Sequence, residues 1–93
     1  MNIELEGYTI YSHQISKKRT NPIGNLMAWK NKYEVIKTNF TSSALIVKFS
    51  NFTIANVHLK AGLHSGADVR IKQMQSILKF EPTIIVGDFN DEL

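Results

Sequence analysis

The sequence predicts an α/β fold, and three observations carry that prediction. An unbroken apolar run, Ile84-Ile85-Val86, follows Pro82 and stops at Gly87, the pattern of a strand buried on both faces. Upstream, Ala67, Ile71, Met74 and Leu78 recur at spacings of four, three and four, with Ile77 beside them. That is one apolar stripe on a helix, read as core packing. Before the helix, residues 43–49 and 52–59 are two strand-like runs joined by Ser50-Asn51, the two-residue connection of a hairpin. Strand, helix, strand over residues 52–88 is a βαβ unit. Such units are right-handed with few exceptions and make their two strands parallel.

The remaining elements follow in chain order. Residues 7–12 alternate weakly and are rich in Tyr, Thr and Ile, so a short strand is expected. Residues 16–25 are polar and basic, with Pro22 and Gly24, and read as a loop. Residues 24–30 and 33–38 look like two strands paired through a tight turn at Asn31-Lys32. In the first of them Leu26, Ala28 and Lys30 share one face, while Met27 and Trp29 share the other. Ser65 with Asp68 three residues later is a capping-box start for the helix, and Pro82 ends it.

Ninety-three residues allow one domain at most. A hydrophobic fraction of 43%, with Trp29, five Phe and three Tyr, excludes a disordered tail. No apolar run approaches the roughly 20 residues of a membrane span, and the N-terminus lacks a signal pattern. There is no cysteine, hence no disulfide framework and no thiolate metal site; an intracellular location, cytoplasmic or nuclear, is expected. The net charge of +3 is uneven: residues 1–42 hold six Lys/Arg against three Glu, and residues 43–93 hold five of each sign. Lys17-Lys18-Arg19 is the centre of the basic excess. Such a cluster attracts phosphate groups, but a three-residue charge run is more often a solvated loop.

Parallel strands end on one edge of a sheet, where open α/β sheets bind ligands. Asn56 and His58 end the first strand of the βαβ unit, and Asp88 and Asn90 end the second. Two polar clusters are therefore expected to converge on one crevice. Gly87 to Asp91 reads alternatively as a plain turn, and His58 as a hydrogen-bonded structural residue. Lys60 would add positive charge there or lie on the surface. Arg70, one turn into the helix, would reach over the same edge or face solvent. Together these groups suit a phosphoryl substrate, with cations and imidazole meeting negative charge and a carboxylate orienting a nucleophile. Asp88 also suits a hard cation such as Mg²⁺. No Gly-x-x-x-x-Gly-Lys loop, Gly-x-Ser-x-Gly elbow or paired-histidine zinc motif is present.

Asn56-Val57-His58-Leu59-Lys60-Ala61, then Arg70 and Gln73, then Ile84-Ile85-Val86-Gly87-Asp88-Phe89-Asn90 resembles the endonuclease/exonuclease/phosphatase superfamily. That group includes deoxyribonuclease I, abasic-site endonucleases and deadenylase-like phosphodiesterases. The His-Leu-Lys-Ala wording looks most like the deadenylase and nocturnin branch. Leu5-Glu6-Gly7-Tyr8 resembles the family's Gly-Tyr strand, and residues 24–36 its next strand pair. The resemblance implies part of a two-sheet α/β sandwich of the deoxyribonuclease I type. It implies hydrolysis of a phosphoester with Mg²⁺ (or Mn²⁺), the substrate being RNA or a phosphorylated nucleotide.

Carried over by residue, His58 would contact the scissile phosphate. Asp88 would orient the attacking water or bind the metal, and Asn90 would hold phosphoryl oxygens. Asn56, Lys60 and Arg70 would line the substrate site. The family's metal-binding glutamate precedes its Gly-Tyr segment, and its closing Asp-His pair follows the Gly-Asp-Phe-Asn motif. Glu4 and Glu6 lack the family's Gln-Glu context. Residues 1–93 are thus expected to be a middle part of the domain without its N- and C-terminal catalytic segments, with negligible activity alone. An apolar sheet face left uncovered would favour self-association or a partner chain. The second function class kept open is a non-catalytic remnant that binds RNA or a partner.

Overall fold

The computed structural model describes residues 2–14, 24–59 and 67–90. They form a small mixed α/β domain of two sheets and one helix. The first sheet has the order β1 (Asn2–Leu5), β2 (Tyr8–Gln14), β3 (Gly24–Lys30), all antiparallel. The second has the order β4 (Val35–Phe40), β5 (Ala44–Phe49), β6 (Thr53–His58), β7 (Ile84–Asp88). Helix α1 (Ala67–Leu78) joins β6 to β7, and that pair is parallel. Strand, helix and strand therefore make the βαβ unit that the change of period indicates.

β1 pairs with β2 around a turn in which Gly7 has φ 80°, a value a side chain disfavours. This strand was not expected from the sequence. β3 and β4 correct a second expectation: they belong to different sheets and do not form a hairpin. The Asn31-Lys32 turn is tied backwards instead. Asn31 N donates to Gly7 O at 3.1 Å, and Thr9 Oγ1 donates to Asn31 Oδ1 at 2.6 Å. With the turn held against the β1–β2 end, the chain leaves towards the second sheet. The β5–β6 hairpin forms at Ser50-Asn51, closed by Phe49 N donating to Phe52 O at 2.8 Å.

Two cores flank the second sheet. On the helix side, Ala44, Ile46, Ala55, Val57 and Leu59 pack around Ile77, with Met74 and Ile85 at the margin. On the other side, Leu45, Val47 and Phe49 pack against Tyr11, Met27 and Trp29 of the first sheet. Trp29 meets Phe49 edge-on at 5.4 Å, and Phe49 stacks on Phe52 at 4.8 Å, geometries that aromatic quadrupoles favour. β5 is thus apolar on both faces because both faces are covered.

α1 and β7 depart from expectation. The helix turns Arg70, Met74 and Ile77 inward, while Ile71 (58% exposed) and Leu78 (50%) face outward. Two residues of the apolar stripe are therefore surface. Phe80 N and Glu81 N cap the helix end on the Ile77 and Leu78 carbonyls, and Glu81 takes φ 51° before Pro82. The proposed cap at Ser65 lies outside the described residues. β7 is an edge strand, not one buried on both faces: Ile84 and Val86 stay 45% and 46% exposed. The first sheet reaches the second through β3 lying over β5 and β6, so β7 extends past its cover. No helix among the described residues is long and apolar enough to cross a membrane.

Candidate functional site at the carboxyl ends of β6 and β7

The parallel pair begins with a fixed register. Thr83 N donates to Thr53 O at 2.7 Å, and Thr53 N donates to Thr83 Oγ1 at 3.1 Å. Counting up from this anchor, Ile54 faces Ile84, Asn56 faces Val86 and His58 faces Asp88. Both His58 and Asp88 are exposed. A strand-end imidazole and a strand-end carboxylate are therefore neighbours on one open edge.

Gly87 makes that closeness possible. Its φ of 129° is foreign to L side chains, and a Cβ there would run into the Val57 carbonyl oxygen and lie 2.8 Å from Val57 N. Only glycine lets β7 lie this close to β6 at the last step before Asp88.

Beyond Asp88 the chain folds back on itself. Asn90 takes φ 49°, a conformation asparagine tolerates better than most residues. Its backbone N donates to Asp88 Oδ1 at 2.9 Å, and its Nδ2 donates to Leu59 O at 2.7 Å. Leu59 N in turn donates to Asp88 O at 2.9 Å. Asn90 is thus a clamp across both strand ends. The turn that the sequence offers at Gly87 to Asp91 is present over the described residues, and it orients the Asp88 carboxylate. The Asn90 carboxamide carries a second N–H besides the one donated to Leu59 O.

Asn56 lies farther back. Its Nδ2 donates to Leu26 O at 2.8 Å, while Asn25 Nδ2 donates to Asn56 O at 3.2 Å. These two asparagines latch β3 onto β6 just behind His58. Asn25 was not singled out by sequence; it is buried, and its Oδ1 has no hydrogen-bond partner. Arg70 is buried near the start of α1, 8% exposed, which overturns the solvent-facing alternative. Lys60 and the Lys17-Lys18-Arg19 cluster lie outside the described residues.

Among the described residues no group of three or more His, Cys, Asp or Glu side chains gathers in a way that could hold a metal. Asp88 offers one carboxylate, with Oδ1 already accepting from Asn90. Mg²⁺ typically takes one or two carboxylates together with substrate oxygens. Asp88 would thus supply a single carboxylate ligand to such an ion, whose remaining ligands would be substrate oxygens and water. Comparison of the chain with protein-family models, with curated proteins and with solved structures gave no match.

Proposed function

We propose that the edge carrying His58, Asp88 and Asn90 engages a phosphoester, as part of a phosphodiesterase of the endonuclease/exonuclease/phosphatase type acting on RNA or a phosphorylated nucleotide. The observation that carries this reading is the His58–Asp88 register on a parallel pair, with both side chains exposed and the carboxylate oriented by the Asn90 turn. Packing of a three-stranded sheet over a four-stranded one supports a deoxyribonuclease I-like sandwich as the architecture. The absence of cysteine suits a reducing, intracellular compartment.

In the proposed reaction, water attacks phosphorus as the bond to the leaving oxygen breaks. Asp88, with Oδ1 steadied by Asn90, orients that water through Oδ2 and takes its proton. The His58 imidazole donates to a phosphoryl oxygen as negative charge builds, and the remaining Asn90 N–H can do the same. Lys60, two residues after His58, adds positive charge nearby in the chain. Mg²⁺ or Mn²⁺, when bound, would polarise the phosphoryl oxygens.

The test is calorimetric titration of a short single-stranded RNA, with and without Mg²⁺. A hydrogen bond to a charged group contributes about 1.5–3 kcal/mol, so His58→Ala is expected to weaken binding by about tenfold or more. Lys48→Ala, an exposed lysine on β5, should change it little. Asp88→Ala should remove the Mg²⁺ dependence. Equal affinities for wild type, His58→Ala and Asp88→Ala would sink the reading. Because no metal-holding group of His, Cys, Asp or Glu side chains gathers among the described residues, a second reading is a non-catalytic RNA-binding or partner-binding module. It predicts His58-dependent binding that ignores Mg²⁺ throughout.

A further inference from the structure

We propose that Phe40 is a stacking platform for a nucleobase beside the His58–Asp88 edge, so that the edge takes a polynucleotide strand; this rests on the phosphoester reading. β4 ends at Phe40, and the register of the second sheet says where that ring stands. Phe40 is opposite Leu45, Leu45 opposite Asn56, and Asn56 opposite Val86. The four therefore share one row and one face. Asn56 reaches the first sheet at Leu26 O, which identifies that face. His58 and Asp88 lie two residues further along β6 and β7, and alternation puts them on the same face. Phe40 thus stands two strands across and two residues back from His58, about 12 Å between Cα atoms by strand geometry. The sugar and base of a flanking nucleotide cover such a span.

The ring is both presented and held. Phe40 is 57% exposed, while Leu45 and Val47 on the same face of the neighbouring strand are fully buried. Beyond it, residues 41–43 form a closed turn. Thr41 N donates to Ala44 O at 2.9 Å, and Ser43 N donates to Thr41 Oγ1 at 3.1 Å. The same turn is tied to the site, because His58 N donates to Ser43 O at 2.7 Å. Phe40 and His58 are thus fixed relative to one another through backbone bonds, and such preorganisation lowers the cost of binding. Residues 38–45 carry no charge, so no carboxylate among them repels a phosphate backbone. An exposed aromatic face offers a base the stacking that gives single strands affinity without sequence preference. A phosphate alone gains nothing from it.

Calorimetric titration of an RNA tetranucleotide and of its abasic counterpart, which keeps the phosphates and riboses but lacks the bases, tests the proposal. Phe40→Leu keeps the apolar bulk and removes the ring. It should weaken the tetranucleotide by about fivefold or more and leave the abasic strand unchanged. Phe40→Trp should retain wild-type affinity. Phe80→Leu, just past the end of α1 and at the opposite end of the sheet from His58, should change neither ligand. The ring-proton resonances of Phe40 give a readout that needs no variant: they should move upfield with the tetranucleotide and stay in place with the abasic strand. Equal affinities of wild type and Phe40→Leu for the tetranucleotide, or equal losses for both strands, would overturn the inference. His58→Ala separates it from the reading beneath it. If His58→Ala weakens both ligands while Phe40→Leu weakens neither, the stacking role alone fails. If His58→Ala weakens neither, the phosphoester reading fails and this inference with it.

Discussion

Replacing Gly87 by alanine should cost far more stability than the same change at Gly7, and the difference measures how tightly β7 is drawn against β6. Both glycines sit at positive φ, 129° and 80°, so both variants carry backbone strain. An unfavourable region costs about 1–3 kcal/mol per residue. The reduction of unfolded-state entropy, about 0.4–1 kcal/mol in favour of alanine, applies equally to both and cancels. What remains is contact. At Gly7 an added Cβ meets nothing within 4 Å. At Gly87 it runs into the Val57 carbonyl oxygen, and lies 2.8 Å from Val57 N and 3.0 Å from Asn56 Oδ1. Two of those three atoms are backbone, so a strand must move, and such overpacking costs about 1–3 kcal/mol. Gly87→Ala is therefore expected to lose about 4 kcal/mol, and Gly7→Ala about half of that or less. Urea unfolding followed by Trp29 fluorescence at matched chain concentration supplies both values. A Gly87 variant that fails to fold while the Gly7 variant folds carries the same meaning. Equal losses within about 0.5 kcal/mol would refute the close approach of the two strands, and with it the account of how His58 and Asp88 come together.

Two further predictions concern the packing behind the edge. Ile77 is fully buried and Ile71 is 58% exposed, so Ile77→Ala should cost about 2–5 kcal/mol and Ile71→Ala under about 0.5 kcal/mol, read from the same urea curves; the reverse order would mean the helix is rotated on the sheet. Asn25→Asp removes the donor to the Asn56 carbonyl and places a charge at a buried site. It should cost about 2–3 kcal/mol, more than Asn25→Ala, and thermal melts that rank the two the other way would contradict the latch between the sheets.

The βαβ unit was legible in the sequence because its signals are local and agree. Ser50-Asn51 closes a two-residue hairpin, the apolar period changes after Leu59, and Pro82 stops the helix. The meeting of His58 with Asp88 then follows from topology alone, since parallel strands end together. What stayed hidden was decided by distant partners. Asn31-Lys32 looks like a hairpin turn, but Gly7 and Thr9 hold it, and nothing in residues 24–38 announces that. Arg70 and Ile71 are adjacent on the helix. Polarity suggests the arginine is outside and the isoleucine inside, yet the sheet takes Arg70. The Ile84-Ile85-Val86 run promises two buried faces, while the span of the first sheet decides how far its cover extends. In the site, residue types marked His58, Asp88 and Asn90, but the clamp from Asn90 to the Leu59 carbonyl and the buried Asn25 have no sequence pattern. They are pairings of a side chain with a remote backbone group.

The central claim, that this edge engages a phosphoester, is tested most directly by mapping where a phosphoester binds. Isotope-labelled chain titrated with a nucleoside 5′-monophosphate or a short RNA in Mg²⁺ would be followed through its backbone amide and imidazole resonances. The account predicts the largest saturable shifts at His58, Asp88, Phe89 and Asn90, lost in Asp88→Ala. Shifts confined to Lys17, Lys18 and Arg19, with the 58 and 88–90 resonances unmoved, would mean that phosphate is drawn only to a basic segment, and the claim would be contradicted.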